Sequence, residues 1–140
     1  MASDTGTQLI LADAAEGSGG KVSMLGAGWS VTGIPTAPQA VVMLIKVPWD
    51  RANEKLALAL DLVDADGRGV VMSAGDDSPG QSVRFTAVIE VGRPPGLTAG
   101  TPIDSSFIVN VPPLPLPAGR YTWRLEIADE LVASSFTVLG

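Results

Sequence analysis

The side chains that most often carry out catalysis are missing from this sequence. Its 140 residues include no histidine and no cysteine, which excludes Ser-His-Asp triads, Cys-His dyads and imidazole or thiolate zinc centres. A Ser–Lys dyad would need one of three lysines, and none lies in a recognisable motif. A pair of carboxylates could hydrolyse a glycoside, but the acidic residues fall mainly in turns or alternate outward along strands. We therefore expect a protein that is not an enzyme and binds no cofactor.

One acidic segment, Asp64-Ala65-Asp66-Gly67, resembles the beginning of a calcium-binding loop. An EF-hand loop needs a third Asp or Asn and a bidentate Glu at position twelve, where this chain has Gly75. Asp66-Gly67 instead suits the positive φ values of a tight hairpin turn. We expect a hairpin and no metal site, the alternative being a looser calcium site that includes Asp76 and Asp77.

Tryptophan side chains offer the best chemistry for binding a small ligand, because their flat faces stack on sugars and other rings. Trp29 and Trp49 are the candidate stacking residues, and Trp123 is a third that alternation places in the core. Gly26-Ala27-Gly28 lacks the third glycine of a dinucleotide fingerprint, so we interpret it as a bulge beside Trp29. Trp49-Asp50-Arg51 is expected to form a local stack and ion pair at a strand end.

Charge argues against nucleic acid and membrane surfaces as partners. The net charge is −6, and the nine Lys and Arg residues are scattered along the chain, so no cluster would neutralise phosphates or anionic lipids. The longest apolar run, 40–45, is too short to span a bilayer. The first residues lack the pattern of a secretory signal, and the expected location is cytoplasmic.

The elements that position these residues are predicted to be strands of a single domain, 1–140. Turn signals recur every 10 to 15 residues between apolar, mostly alternating segments, which favours an all-β antiparallel β-sandwich. The segment 53–62 is the best candidate for a helix, but its leucines alternate with period two and predict a strand. The nine expected strands are 7–14, 21–33, 40–48, 55–64, 68–74, 82–91, 104–111, 120–128 and 131–139.

Proline-rich connections indicate an immunoglobulin-like version of the sandwich. Pro117-Ala118-Gly119 leads into a strand that begins near Tyr121. In immunoglobulin-like domains a tyrosine at such a corner bonds back to the backbone through its hydroxyl. Pro112 to Pro115 also matches the P-x-x-P pattern of SH3 ligands, although a stiff crossover is the favoured interpretation.

The strand 40–48 is apolar on both faces, unlike the other predicted strands. A sheet of a two-layer sandwich has one dry face, so the second apolar face needs a cover, either a loop of this chain or another subunit. Val42, Leu44 and Trp49 are therefore the candidate interface residues. Because only three lysines are available to protect edge strands, we expect a homo-oligomer or a complex with another protein.

Five segments of the chain are similar to a family of small bacterial proteins that forms a domain of unknown function. They are Leu11-Ala12-Asp13-Ala14-Ala15, Leu25-Gly26-Ala27-Gly28-Trp29, Val47-Pro48-Trp49-Asp50-Arg51-Ala52-Asn53, Val91-Gly92-Arg93-Pro94-Pro95-Gly96 and Pro113-Leu114-Pro115-Leu116-Pro117. The resemblance implies a self-contained domain and assigns no site. Ala27 stands where the family usually has a glycine.

The expected function is a non-catalytic interaction or structural assembly module, self-associating through an apolar strand surface or edge strands. The alternative is a small-ligand or carbohydrate-binding module that uses exposed tryptophans. A hydrolase with paired carboxylates ranks third.

Overall fold

A computed structural model of the chain describes residues 6–72 and 80–140. The described part is built almost entirely of strands, and its one helical element is a 3-10 turn at Trp49–Arg51. The strands are β1 (Gln8–Ala12), β2 (Ala14–Ser18), β3 (Lys21–Leu25), β4 (Val31–Thr32), β5 (Gln39–Val47), β6 (Lys55–Val63), β7 (Val71–Met72), β8 (Gln81–Ser82), β9 (Arg84–Glu90), β10 (Ile103–Val111), β11 (Gly119–Ile127) and β12 (Glu130–Val138).

Two larger sheets form the layers of a β-sandwich. The smaller layer has the order β1-β5-β10, and the larger has the order β4-β12-β11-β6-β9. Neighbours in these sheets are antiparallel, except for the short parallel contact of β4 with β12. Two further antiparallel pairs, β2–β3 and β7–β8, lie outside the two layers.

One hydrophobic core fills the space between the two layers, because alternate residues of each strand point inward. In β6 the four leucines at 56, 58, 60 and 62 are all buried, which confirms that this segment is a strand. Trp123 of β11 is fully buried, and its Nε1 donates a hydrogen bond to Oε1 of Gln39 (3.1 Å). The all-β sandwich predicted from alternation is therefore confirmed.

Five of the predicted strands match the structure to within one residue at each end. They are 40–48, 55–64, 104–111, 120–128 and 131–139. The prediction for 21–33 was wrong, because this segment forms two separate strands, β3 and β4. The predicted strand 7–14 corresponds to β1, which ends at Ala12, and the predicted strand 82–91 is divided between the end of β8 and β9. The described residues contain twelve strands rather than nine. In the predicted strand 68–74, only Val71–Met72 forms a strand among the described residues, and Gly69 forms an isolated bridge with Val63. Residues 73 and 74 lie outside the described ranges.

A close approach between two loops explains one of these breaks. Gly26 follows β3 with a positive φ of 65°, and a Cβ placed there would lie 2.0 Å from a carboxylate oxygen of Asp13. Asp13 is the residue between β1 and β2, and its N–H donates to the carbonyl oxygen of Leu25 (2.8 Å). Glycine at position 26 therefore allows the chain to turn out of the sheet at this point.

The corner that leads into β11 has the expected tyrosine contact. The hydroxyl of Tyr121 donates a hydrogen bond to the carbonyl oxygen of Pro117 (2.8 Å). Burial, and secondarily the negative charge of Asp64, raises the pKa of this hydroxyl above its ordinary value of 10.0. The proline-rich segment is also tied to the body of the domain by Thr36, whose Oγ1 accepts from the N–H of Leu114 (2.9 Å).

The segment that resembled a calcium loop is a hairpin turn, as predicted. Oδ1 of Asp64 accepts hydrogen bonds from the N–H groups of Asp66 (2.9 Å) and Arg68 (3.0 Å). The N–H of Gly67, which has a positive φ of 80°, donates to the carbonyl oxygen of Asp64 (3.0 Å). Asp76 and Asp77, the other members of the alternative calcium site, lie outside the described residues.

Candidate functional site

The second apolar face of β5 is covered by the chain itself. The β2–β3 hairpin packs over it and forms a separate small core around Ala12, Ala40 and Val42. Val42 has no exposed surface, and Leu44 is half-buried in the same cluster. The hairpin therefore leaves Val42, a predicted interface residue, no surface in the single chain on which a second molecule could dock.

Trp49 stacks with Arg93 and not with Arg51, its neighbour in the sequence. The guanidinium carbon of Arg93 lies 4.5 Å from the centre of the Trp49 ring. Nε and Nη2 of the same arginine donate to the carbonyl oxygen of Trp49 (3.1 and 3.0 Å). Arg51 pairs with Glu54 (3.3 Å) rather than with Asp50. One face of the half-buried Trp49 ring is thus occupied by a cation–π contact.

The other tryptophans pack against the body of the domain. Trp29 is half-buried, and its ring meets Phe136 edge to face with the ring centres 5.4 Å apart. Trp123 lies in the core between the layers. The structure therefore does not bring Trp29 and Trp49 together as one flat exposed stacking surface.

Within the described residues, no hairpin lies over the outer face of the larger sheet, in contrast to that of the smaller sheet. The outer face of the larger sheet carries an open depression of about 900 Å³. Ala57 and Ala59 of β6 and Thr86 and Val88 of β9 point to this face, because they alternate with the buried positions of their strands. These side chains are short, and the face is therefore concave here.

Charges of opposite sign lie on opposite sides of this depression. Arg51, Lys55 and Arg84 line the side formed by the 3-10 turn, β6 and β9. The side formed by β11, β12 and their connecting turn is acidic, and its members are Glu126, Asp129 and Glu130. Nη1 of Arg84 also contacts both carboxylate oxygens of Asp61 (2.9 and 3.1 Å). The depression could therefore receive a surface that itself carries both signs.

These carboxylates bear on the hydrolase hypothesis. Glu126 and Asp129 are exposed to solvent, whereas a carboxylic acid that protonates a leaving group usually sits in an apolar enclosure. Within the described residues, no group of three acidic side chains is arranged to hold a metal ion. The carboxylates of the depression therefore lack the apolar enclosure of a typical general acid.

The free edge of the larger sheet lies beside this depression. Among the strands of the described residues, β9 is the last in the order, and its one neighbour in the sheet is β6. Val88 is 63% exposed. The side chains of β9 that face the core are only half-buried, whereas those of β6 are buried; these β9 residues are Phe85, Ala87 and Ile89. The surface formed by β9 and the adjoining depression is called the β9 surface below.

Sequence reasoning correctly assigned the faces of β9 but did not select it as a candidate site. The alternation of its residues predicts one face with Phe85, Ala87 and Ile89 and the opposite face with Arg84, Thr86 and Glu90, and the structure agrees. The missing information was the order of the strands in the sheet. A strand can be identified as an edge only when its neighbours are known.

No helix within the described residues is long and apolar enough to cross a membrane. A search of the curated proteins finds no match. The model of a family described as "Family of unknown function (DUF6941)" matches residues 8–138. The chain belongs to this family, and the resemblance noted in its sequence to a family without an assigned function is confirmed.

Proposed function

We propose that this member of a family of unknown function is a non-catalytic assembly module that self-associates through its β9 surface. The observation that carries this proposal is the contrast between the two outer faces. The β2–β3 hairpin covers one of them, whereas the other has an exposed valine at position 88 and a free edge strand. Burial of such apolar surface is the main driving force of protein association.

A second copy of the chain is a suitable occupant because the β9 surface is self-complementary in charge. The basic side of the depression and its acidic side each supply three charged residues. A twofold axis brings the same patch of both copies together, so the basic side of one copy can face the acidic side of the other. Only 17% of the residues are charged, and the chain has few lysines with which to protect an edge.

The alternative function, binding of a small ligand or carbohydrate, has less support in the structure. A stacking platform needs a flat aromatic face open to solvent, but Trp49 is covered on one side by Arg93. The lining of the depression includes no tryptophan. Recognition of another protein by the β9 surface remains the closest variant of the proposal, and it predicts a monomer when the chain is alone.

The proposal is tested by the mass of the protein in solution together with one pair of matched variants. Val88→Lys places a charge on the β9 surface, where an unpaired ammonium would have to lose its water on association. Val31→Lys makes the same change at an equally apolar position that is 55% exposed, on β4 at the opposite end of the same sheet.

Multi-angle light scattering from micromolar to near-millimolar concentration should show an oligomer for the wild-type chain and for Val31→Lys. Val88→Lys should weaken association by about tenfold or more with an unchanged β signal in circular dichroism. If Val88→Lys leaves the oligomer intact, the contact between the copies lies on another surface. A wild-type chain that stays at 14.4 kDa would end the proposal of self-association.

A further inference from the structure

The edge strands of the two layers differ in charge. Those of the smaller sheet are β1, which has no charged residue, and β10, whose Asp104 is already paired with Lys46. At the far end of the larger sheet, β4 consists of Val31 and Thr32. Among the described edge strands, only β9 carries both a cation and an anion: Arg84 at its start and Glu90 at its end.

The free backbone groups of β9 can be assigned from its bonds to the neighbouring strand. The N–H of Leu62 donates to the carbonyl oxygen of Val83 (3.1 Å), and that of Asn53 donates to Val91 (2.8 Å). Bonding alternates along an antiparallel strand, so the odd-numbered residues of β9 bond to β6. The even-numbered residues direct their N–H and C=O groups to the free edge: Arg84, Thr86, Val88 and Glu90.

We propose that two copies of the chain pair antiparallel along β9, with a twofold axis at Ala87, and join their larger sheets into one continuous sheet. In this register Arg84 lies opposite Glu90 of the second copy, and Thr86 lies opposite Val88 of the second copy. Each of these pairs consists of two residues whose backbone groups are free, as an antiparallel ladder requires. The inference rests on the proposed function, self-association through the β9 surface, and gives it a geometry.

Charge favours this register because the pairing extends a row of charged side chains that already runs across β6 and β9 within one copy. Arg84 lies opposite Asp61 of β6, and Glu90 lies opposite Lys55. Across the twofold axis the row therefore runs Lys55, Glu90, then Arg84 and Asp61 of the second copy, with alternating sign at every step. Opposite charges that face each other across strands stabilise a sheet, whereas like charges destabilise it. Both ends of the β9 pair gain such a contact.

The core-facing side of β9 supports the same contact. Phe85 and Ile89 are half-buried in the single chain, and the twofold axis places Phe85 of one copy opposite Ile89 of the other. Ile89 of one copy would thus cover the Phe85 ring of the other at the edge where β9 has no neighbouring strand. β9 also contains no proline and no lysine, the residues that natural proteins often use to prevent edge pairing.

The pairing is tested with two charge reversals, Arg84→Glu and Glu90→Arg. The first variant has two acids on β9 and the second has two arginines, so like charges face each other at both ends of each homodimer. Sedimentation should show dimers weakened by about tenfold or more in each variant alone. An equimolar mixture restores opposite charges at both ends and should recover the affinity of the wild-type dimer.

Glu16→Arg is the matched control, because it makes the same change of charge at an exposed position of β2, away from β9. It should leave the dimer affinity unchanged within about twofold. Homodimers of both β9 variants as tight as the wild-type dimer would overturn the pairing and leave self-association standing. Failure of the mixture to recover would overturn the register. A wild-type chain that is monomeric would end both proposals.

Discussion

Two valines on the outer faces of the two layers differ in their exposure to solvent. Val42 of β5 is fully buried, although it points away from the main core, whereas Val88 of β9 is 63% exposed. The β2–β3 hairpin accounts for the difference, because it packs over β5 and forms a sheet separate from the one that contains β9. The larger sheet therefore leaves an apolar residue of its end strand exposed, whereas the corresponding outward valine of the smaller sheet is covered.

The contrast also shows why an apolar strand alone does not identify an interface. β5 is the most continuously apolar strand of the chain and is buried on both faces within one copy. β9 alternates regularly between apolar and polar residues, as an ordinary half-exposed strand does. Its position at the end of the sheet gives it the surface for contact.

The largest effect is expected from the core that both layers share. Trp123→Ala should lower the free energy of unfolding by roughly 3–5 kcal/mol, the usual cost of deleting a large buried aromatic side chain. It also leaves Oε1 of Gln39 without the indole donor. Urea denaturation followed by circular dichroism measures this loss. A change below about 1 kcal/mol would contradict the position of Trp123 between the layers.

The two valines themselves provide the sharpest test of the comparison. Val42→Ala should destabilise the chain by about 2 kcal/mol, because it removes buried methyl groups and leaves a cavity under the hairpin. Val88→Ala should change the free energy of unfolding by less than about 0.5 kcal/mol when measured at low concentration, since its side chain is exposed. Equal effects at the two positions would show that the hairpin does not cover β5.

A smaller effect is expected at the corner beneath β11. Tyr121→Phe removes the hydrogen bond to Pro117 and should cost about 1 kcal/mol at neutral pH. This loss should be the same in the Val42→Ala and Val88→Ala backgrounds if the corner acts independently of both outer faces. A marked difference between the two backgrounds would show that the corner is energetically coupled to one of the two outer faces.

The same tyrosine predicts a dependence on alkaline pH. Its pKa is raised in the folded chain because burial disfavours the phenolate. Above pH 10 the unfolded chain therefore releases this proton first and binds fewer protons than the folded chain. The contribution of Tyr121 to stability is fully present below pH 10 and is lost as the pH rises through the folded-state pKa. The free energy of unfolding of Tyr121→Phe should therefore fall less steeply with rising pH than that of the wild type. Identical slopes in alkaline denaturation would contradict the raised pKa.

Alternation was sufficient to predict the long strands other than β5, since each has one face in the core; β5 was predicted from its continuous apolar run. It failed for the β2–β3 hairpin, whose segment Ala14–Ser18 consists of small and polar residues. That segment is a strand because the hairpin pairs and packs over β5, a contact that local propensity does not contain. The sequence correctly required a cover for β5 but could not tell a hairpin of this chain from a second subunit.

The candidate site was harder to predict than the fold. Arg93 and Trp49 are separated by 44 positions in sequence, so Arg51 was the more obvious partner for the ring. The charge row that includes Lys55, Glu90, Arg84 and Asp61 depends on the register between β6 and β9. Such relations between strands follow from topology, which a list of strands does not specify.

The mass of the wild-type chain in solution tests the central claim most directly. Sedimentation equilibrium or light scattering across micromolar to near-millimolar concentration should show a rise in mass from 14.4 kDa toward that of a dimer. Hydrogen exchange at the free-edge amides of Thr86 and Val88 should slow over the same range. A constant monomer mass at every concentration would contradict self-association through the β9 surface.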